Sequence, residues 1–261
     1  MMMHQGNFKI ISNEKTAGGC FKLRVMAPEA AEEARPGQFV HLRVQQEIDK
    51  PFLRRPFAVC DAIDNGVLEI LYKVRGRGTS LLSEKKEGGL LDIIGPLGNG
   101  FDCNVGSKRA LVVAGGIGIA PLIFLSRKLL DAGREVVFMR GAVTAGDVLC
   151  RRELKDMKLN VITATDDGSE GIKSKITEVL ENYLRKEKDK EMEIFAAGPR
   201  PMLKVVARLS GEYKMESQVS MDEMMACGVG VCLGCAVMTK DGYKLACKDG
   251  PVFKAGDIIW E

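Results

Sequence analysis

A chain of 261 residues, 46% hydrophobic and 28% charged, has the composition of a soluble globular protein long enough for two or three modules. Its formal charge of +3 is spread along the sequence with no basic run interleaved with aromatics, which argues against nucleic acid as a partner. Histidine occurs only as His4 and His41, which argues against a hydrolase built on a catalytic histidine; no acid–base catalytic residue is assigned, and the chemistry must come from cofactors.

The start, Met-Met-Met-His-Gln-Gly, has neither the charged nor the apolar part of an export signal. Residues 110–126 are uncharged, but three glycines and Pro121 interrupt them and they fall short of a bilayer crossing. A cytoplasmic protein without a membrane partner is expected.

Residues 1–104 read as strands separated by turns. Phe21, Leu23 and Val25 alternate with polar residues, as do Val40, Leu42 and Val44, and then Leu68, Ile70, Tyr72 and Val74; turns are marked by Arg-Pro-Gly at 35–37 and Asp-Asn-Gly at 64–66. The expectation is a small antiparallel β-barrel. Within it, an arginine among Arg54, Arg55, Arg75 and Arg77 can hold a phosphate bidentately, Gly78 and Thr79 can offer N–H and hydroxyl donors to the same group, and Phe57 or Tyr72 can lie against a ring system. On these residues alone, barrel core plus solvated charge explains them equally well.

Residues 105–213 change to strand, helix, strand, helix. Ala110–Ala114 is a short apolar run ending in glycines, Pro121 can open a helix and Gly133 follows its last turn. Further strands are expected at 135–139, 159–165 and 192–197. Ile176, Val179, Leu180, Tyr183 and Leu184 lie at helical spacing within 173–188. Such alternation predicts a mostly parallel sheet with helices on both faces. The turn Gly115, Gly116, Gly118 with Pro121 suits a pyrophosphate at a helix N-terminus. Asp166 with Asp167, and Gly198, Pro199 and Met202, end later strands and gather with it at the carboxyl edge, where open sheets bind nucleotides. Preference between NAD and NADP stays open, with Asp166 and Asp167 suited to a free ribose and Arg140 to a 2′-phosphate.

Residues 214–261 carry Cys227, Cys232, Cys235 and Cys247, spaced C-x4-C-x2-C-x11-C. This begins as plant-type [2Fe–2S] spacing does and lacks the two short pairs of a structural zinc site. Zinc and a disulfide are the lesser alternatives. This arm has too little apolar sequence for a core of its own, so the cluster is expected to substitute for one. Cys20, Cys60, Cys103 and Cys150 are scattered and read as buried reduced thiols. Nicotinamide exchanges electrons in pairs and an iron–sulfur centre singly, so a chain with both sites requires a carrier such as a flavin.

Over essentially its whole length the chain resembles the family of electron-transfer subunits of type B dihydroorotate dehydrogenase, within the ferredoxin reductase superfamily. The resemblance is carried by Arg55-Pro56-Phe57-Ala58, Leu71-Tyr72-Lys73 and Gly78-Thr79, by Gly-Gly-x-Gly-x-Ala-Pro at 115–121, and by the cysteine run from Met225 with Cys-Lys-Asp-Gly-Pro-Val-Phe after it. It implies an FAD-binding barrel over 1–104, with the first three segments as flavin contacts, an NAD-binding α/β domain over 105–213 and a [2Fe–2S] arm over 214–261. Ala58 stands where that family usually has a hydroxyl residue, and Ala197 where many relatives have Cys. The resemblance further implies a catalytic partner subunit carrying FMN, two of each chain in a heterotetramer, and electrons passing through cluster and FAD to NAD+ in pyrimidine biosynthesis. A small flavoprotein subunit of an NAD(P)H:ferredoxin or sulfide oxidoreductase complex is the alternative, and a zinc-stabilised nucleotide-binding sensor the non-enzymatic one.

Overall fold

The computed structural model describes residues 3–44, 51–63, 65–104, 107–187 and 191–260. The first two residues, Asp64 of the expected turn and Lys188 at the end of the expected helix lie outside these.

Apolar alternation builds the barrel. Strands β1 (His4–Lys15), β2 (Cys20–Met26), β3 (Phe39–Arg43), β4 (Arg55–Ile63), β5 (Val67–Lys73) and β6 (Leu90–Leu97) close antiparallel in the order β1-β2-β5-β4-β3-β6. Helix α1 (Pro28–Glu33) follows β2, and α2 (Arg77–Ser83) follows β5. Leu23, Val25, Leu42, Val59, Ile70 and Tyr72 fill the barrel, together with Phe124 from the next module.

The strands β7 (Arg109–Gly115), β8 (Glu135–Ala142), β9 (Asn160–Thr165), β10 (Ile172–Lys173), β11 (Met192–Ala197) and β12 (Ser217–Ser220) run parallel in the order β10-β9-β8-β7-β11-β12. Helices α3 (Ile119–Asp131) and α4 (Arg151–Asp156) pack on one face, α5 (Ile176–Lys186) and α6 (Arg200–Glu212) on the other. Helix α5 therefore begins three residues later than the expected 173, because Ile172 and Lys173 pair with β9 as an edge strand instead.

The arm forms a hairpin of β13 (Ala236–Thr239) and β14 (Gly242–Leu245), then β15 (Val252–Lys254), which adds antiparallel to β12 as the seventh strand of the sheet. The expectation that the cluster replaces a core is corrected here. Cys235, Val237, Ala246, Cys247, Ala255 and Ile258 share one apolar cluster with Phe39 and Leu97 of the barrel and Val219 of the sheet. The arm has a core because it borrows one.

Barrel and sheet are joined by charge as well as by Phe124. Lys22 pairs with Glu69 at 3.0 Å and with Glu153 of α4, while Arg127 of α3 reaches Asp61 at 2.5 Å. Glu69 and Asp61 are nearly inaccessible, so these pairs are of the buried kind whose rupture is costly.

Candidate functional site

Backbone N–H groups of the arm wrap three of the four candidate sulfurs. Val229 and Val231 donate to Cys227 Sγ at 3.4 Å and Cys232 donates to it at 3.5 Å; Gly230 donates to Cys247 Sγ at 3.1 Å, and Cys247 donates to Cys235 Sγ at 3.4 Å. Gly228 (φ +72°) and Gly230 (φ +82°) supply the left-handed conformations that turn these amides inward. Such a nest of N–H groups is what a negatively charged sulfur centre needs. Burial raises the Cys227 thiol, but the amides of Val229, Cys232 and Val231 outweigh it and hold the group down at about 6. Burial, and then the neighbouring Cys235 thiol, pushes Cys247 up to about 12. Cys235 and Cys247 are buried while Cys232 is exposed, as are its chain neighbours Val231 and Leu233 and, earlier in the arm, Met224. Among the described residues, no group of three or more His, Cys, Asp or Glu side chains is arranged to hold a single metal ion. Four cysteines in one arm, three of their sulfurs receiving backbone N–H groups, are the donor set a two-iron centre takes.

Asn99 connects this arm to the barrel. Its side chain donates to the carbonyls of Lys248 and Asp249, both at 3.1 Å, and its backbone pairs with Gly250 and Val252. A Cβ on Gly98 would stand 2.6 Å from the Gly250 carbonyl. The Gly95–Gly100 turn is thus a clasp for the arm.

On β4, Arg55, Pro56, Phe57 and Ala58 are all half-exposed in succession, on both faces of the strand. That is unusual for a barrel strand and marks a surface that a planar ligand can cover. A Cβ on Gly78 would lie 3.2 Å from Arg55 Nε, so the guanidinium rests on the start of α2, as a pyrophosphate clamp would. Thr79 behaves differently from expectation. Its hydroxyl donates to Gly76 O at 3.0 Å and accepts from the amides of Arg75 (2.9 Å) and Gly76 (3.2 Å), so it caps α2 instead of facing a phosphate. Tyr72 is corrected too. It is buried in the barrel against Phe21 and Phe57, each 5.7 Å away, with its hydroxyl donating to Asn13 Oδ1 at 3.0 Å; only Phe57 of the two aromatics retains a half-exposed ring. Burial raises the Tyr72 hydroxyl to about 12. Leu71 is buried on the other side, toward the α/β module, and Lys73 is half-exposed.

The third region is a cleft of ≈ 520 Å³ between barrel and sheet. Gly115, Gly116, Asp166, Pro199 and Met202 all line it, at the carboxyl ends of β7, β9 and β11, with Lys73 from the barrel opposite. The glycines there serve different ends. Gly116 (φ +53°) faces open space, where a ligand can approach its amide. Gly115 and Gly198 let two turns touch, since a Cβ on Gly198 would stand 3.1 Å from Gly115 Cα and 2.6 Å from Met202 Cε. Gly118 is pressed against the Ala197 carbonyl and Pro121 is buried in α3, so neither lines the cleft. Arg140 is not available to a 2′-phosphate. It donates Nε to Thr163 Oγ1 at 2.9 Å, Nη1 to Leu149 O at 3.1 Å and Nη2 to Glu170 at 3.4 Å.

Residues 222–259 match the iron-sulfur cluster binding domain of dihydroorotate dehydrogenase B, and residues 112–208 match the oxidoreductase NAD-binding domain. The chain is 36% identical over 258 residues to the dihydroorotate dehydrogenase B (NAD(+)) electron transfer subunit of Desulforamulus reducens, covering 97% of each. It is 37% identical over 266 residues to that of a Geobacillus species, covering 99% of this chain and 100% of the relative. The chain belongs to this family.

Among solved structures, this electron transfer subunit family member is similar to the NADH-dependent reduced ferredoxin-NADP oxidoreductase studied for flavin-based electron bifurcation. The TM-score is 0.86 at 32% identity, over 98% of this chain and 90% of that one. A ferredoxin NADP+ reductase from Neisseria gonorrhoeae with bound FAD and NADP shares the fold, with a TM-score of 0.69 at 18% identity over 80% of this chain and 91% of that one. No helix among the described residues is long and apolar enough to cross a membrane.

Asp147, Lys175 and Thr177 also line the cleft and were not foreseen. Asp147, 3.5 Å from Lys73, follows a β-strand in an irregular turn with no motif around it. Lys175 and Thr177 flank the start of α5 just after β10, a strand too short for alternation to reveal. The remaining thiols, Cys20, Cys60, Cys103 and Cys150, are all free; burial raises each, Cys150 to about 12, which keeps them unreactive, though Cys103 and Cys150 are only half-buried.

Proposed function

We propose that this chain receives electrons from a catalytic FMN-containing subunit that oxidises dihydroorotate and delivers them to NAD+, within a cytoplasmic heterotetramer of two of each chain that serves pyrimidine biosynthesis. The observation that carries the reading is the amide-lined four-cysteine loop lying on the same barrel that presents the half-exposed strand 55–58. When bound, the cluster supplies single-electron transfer, the flavin exchanges single electrons for pairs, and the nicotinamide carries the pair as hydride.

Each region of the chain has a part in this. Cys227, Cys232, Cys235 and Cys247 ligate the irons, with Cys232 on the exposed side, toward the partner. Arg55 and the start of α2 hold the FAD pyrophosphate, and Pro56, Phe57 and Ala58 lie along the ring system. Gly116 and the N-terminus of α3 hold the dinucleotide pyrophosphate, and the Pro199–Met202 turn closes over the nicotinamide end. The exposed side chains of Met224, Val231 and Leu233 supply apolar surface for docking.

Reconstitution tests the reading. Chain prepared anaerobically should contain iron, sulfide and FAD, and with its catalytic partner should form NADH from dihydroorotate. The similarity to the bifurcating oxidoreductase favours a second reading, in which the partner handles ferredoxin and NADP. A complex that ignores dihydroorotate but exchanges electrons between NADH and ferredoxin would establish that one instead.

A further inference from the structure

His41 bridges the cluster loop and the flavin strand with a single side chain. It lies on β3 directly opposite Pro56 of β4, and it is fully buried. On its other side, a Cβ on Gly228 would stand 2.5 Å from His41 Nδ1 and 3.0 Å from its Cε1, so the imidazole is packed directly against the residue after Cys227. Among the described residues neither ring nitrogen meets a side-chain partner, and the polar groups that face the ring are the backbones of Cys227 and Arg54. The neighbouring cation, Arg54, pairs with Asp92 at 2.6 Å and donates to the His41 backbone carbonyl at 3.4 Å.

A neutral imidazole carries one N–H and one bare nitrogen, and a fully buried polar ring set against the backbone of Cys227 calls for an explanation. Space filling does not supply one, because an aliphatic side chain would fill the same volume without burying two ring nitrogens. The side of the ring that touches Gly228 faces the turn that carries the Cys227 sulfur.

We propose that His41 is a positioning residue for the cluster, holding the Cys227–Gly228 turn against the flavin strand and directing its ring N–H to that sulfur-bearing turn. The proposal rests on the cluster reading above. A donor placed there stabilises the added negative charge of the reduced centre, so it raises the reduction potential and biases the cluster toward accepting an electron. It also gives residue 228 a second reason to be glycine, since a side chain there would displace the imidazole.

The chain contains only two histidines, which makes the test direct. Chain grown with 15N-histidine, loaded with iron and sulfide and then reduced, should show a weak 15N coupling to the cluster in pulsed electron paramagnetic resonance. The coupling should persist in His4→Gln and vanish in His41→Leu. Redox titration of His41→Leu should show a more negative cluster potential, by about 59 mV for a tenfold weaker hold on the electron. His41→Gln, which restores an N–H donor, should recover most of that shift. A parent chain with full iron and sulfide but no 15N coupling would overturn the proposal, as would an unchanged potential in a fully loaded His41→Leu. If His41→Leu fails to take up a cluster, the labelled parent still decides. A parent without iron and sulfide would overturn the cluster reading itself.

Discussion

Arg55 and Thr79 meet at the same turn but hold it by different means, so their substitutions should part company. Arg55→Ala removes a charge-assisted contact to a pyrophosphate and should weaken FAD retention by about 1.5–3 kcal/mol, read from flavin dissociation, with cluster content unchanged. Thr79→Val removes the hydroxyl that closes the start of α2. It should cost about 1 kcal/mol of stability, read as a lower denaturation midpoint even without flavin. An Arg55→Ala chain that kept FAD at parent affinity would reduce Arg55 to surface charge. Tyr72 shows where alternation stops informing. Leu71 and Tyr72 point to opposite faces of β5, yet one face meets the barrel interior and the other the α/β module, and both are buried. A period of two separates faces but does not say which of them is wet.

The junction between β2 and α4 makes a pH prediction. Burial alone would raise the Glu153 carboxyl, but its hydrogen bond from Lys22 outweighs this and holds it below the ordinary value. Its contribution is therefore complete above the unfolded value of about 4.3 and is lost as pH falls through the lower folded one. Asp61 works the other way, because burial raises it despite Arg127. Comparing Glu153→Gln with the parent isolates the first effect: the variant should lose less stability between about pH 6 and about pH 3 than the parent does. Equal acid slopes would mean the pair adds nothing. Strands β7, β8, β9 and β11, helix α3 and the barrel were legible because each carries its own apolar period. The arm's core was not, since Val237, Ala246 and Ile258 pack on Phe39 and Leu97 of the barrel, which are remote from it in sequence. The Gly95–Gly100 clasp was obscured for the same reason.

Across the whole molecule, the order of electron flow separates the cluster from the other two sites. Cys232→Ser removes the exposed thiol while leaving the barrel and cleft intact. NADH should still reduce bound FAD in that variant, but dihydroorotate in the reconstituted complex should no longer yield NADH. Parent-rate NADH formation by a complex that demonstrably lacks the cluster would make the cluster structural. Val231→Lys replaces an exposed apolar side chain with a charge and should weaken association with the catalytic subunit by about tenfold or more, near 1.4 kcal/mol, without changing iron content. That the four cysteines gather in one arm was legible, because their spacing is local; the amides around their sulfurs turn inward at Gly228 and Gly230, where glycine permits the left-handed backbone.

Strand β15 hydrogen-bonds to β12 and closes that side of the sheet. Shortening the gene to make a flavin-only reductase would strip this cover and leave the Ser217–Ser220 backbone as a raw edge, beside an apolar face that has lost Ala255 and Ile258. Open edges of this kind template pairing between chains. Such a truncate should collect in inclusion bodies, whereas the full-length chain carrying cysteine-to-serine changes should remain dispersed.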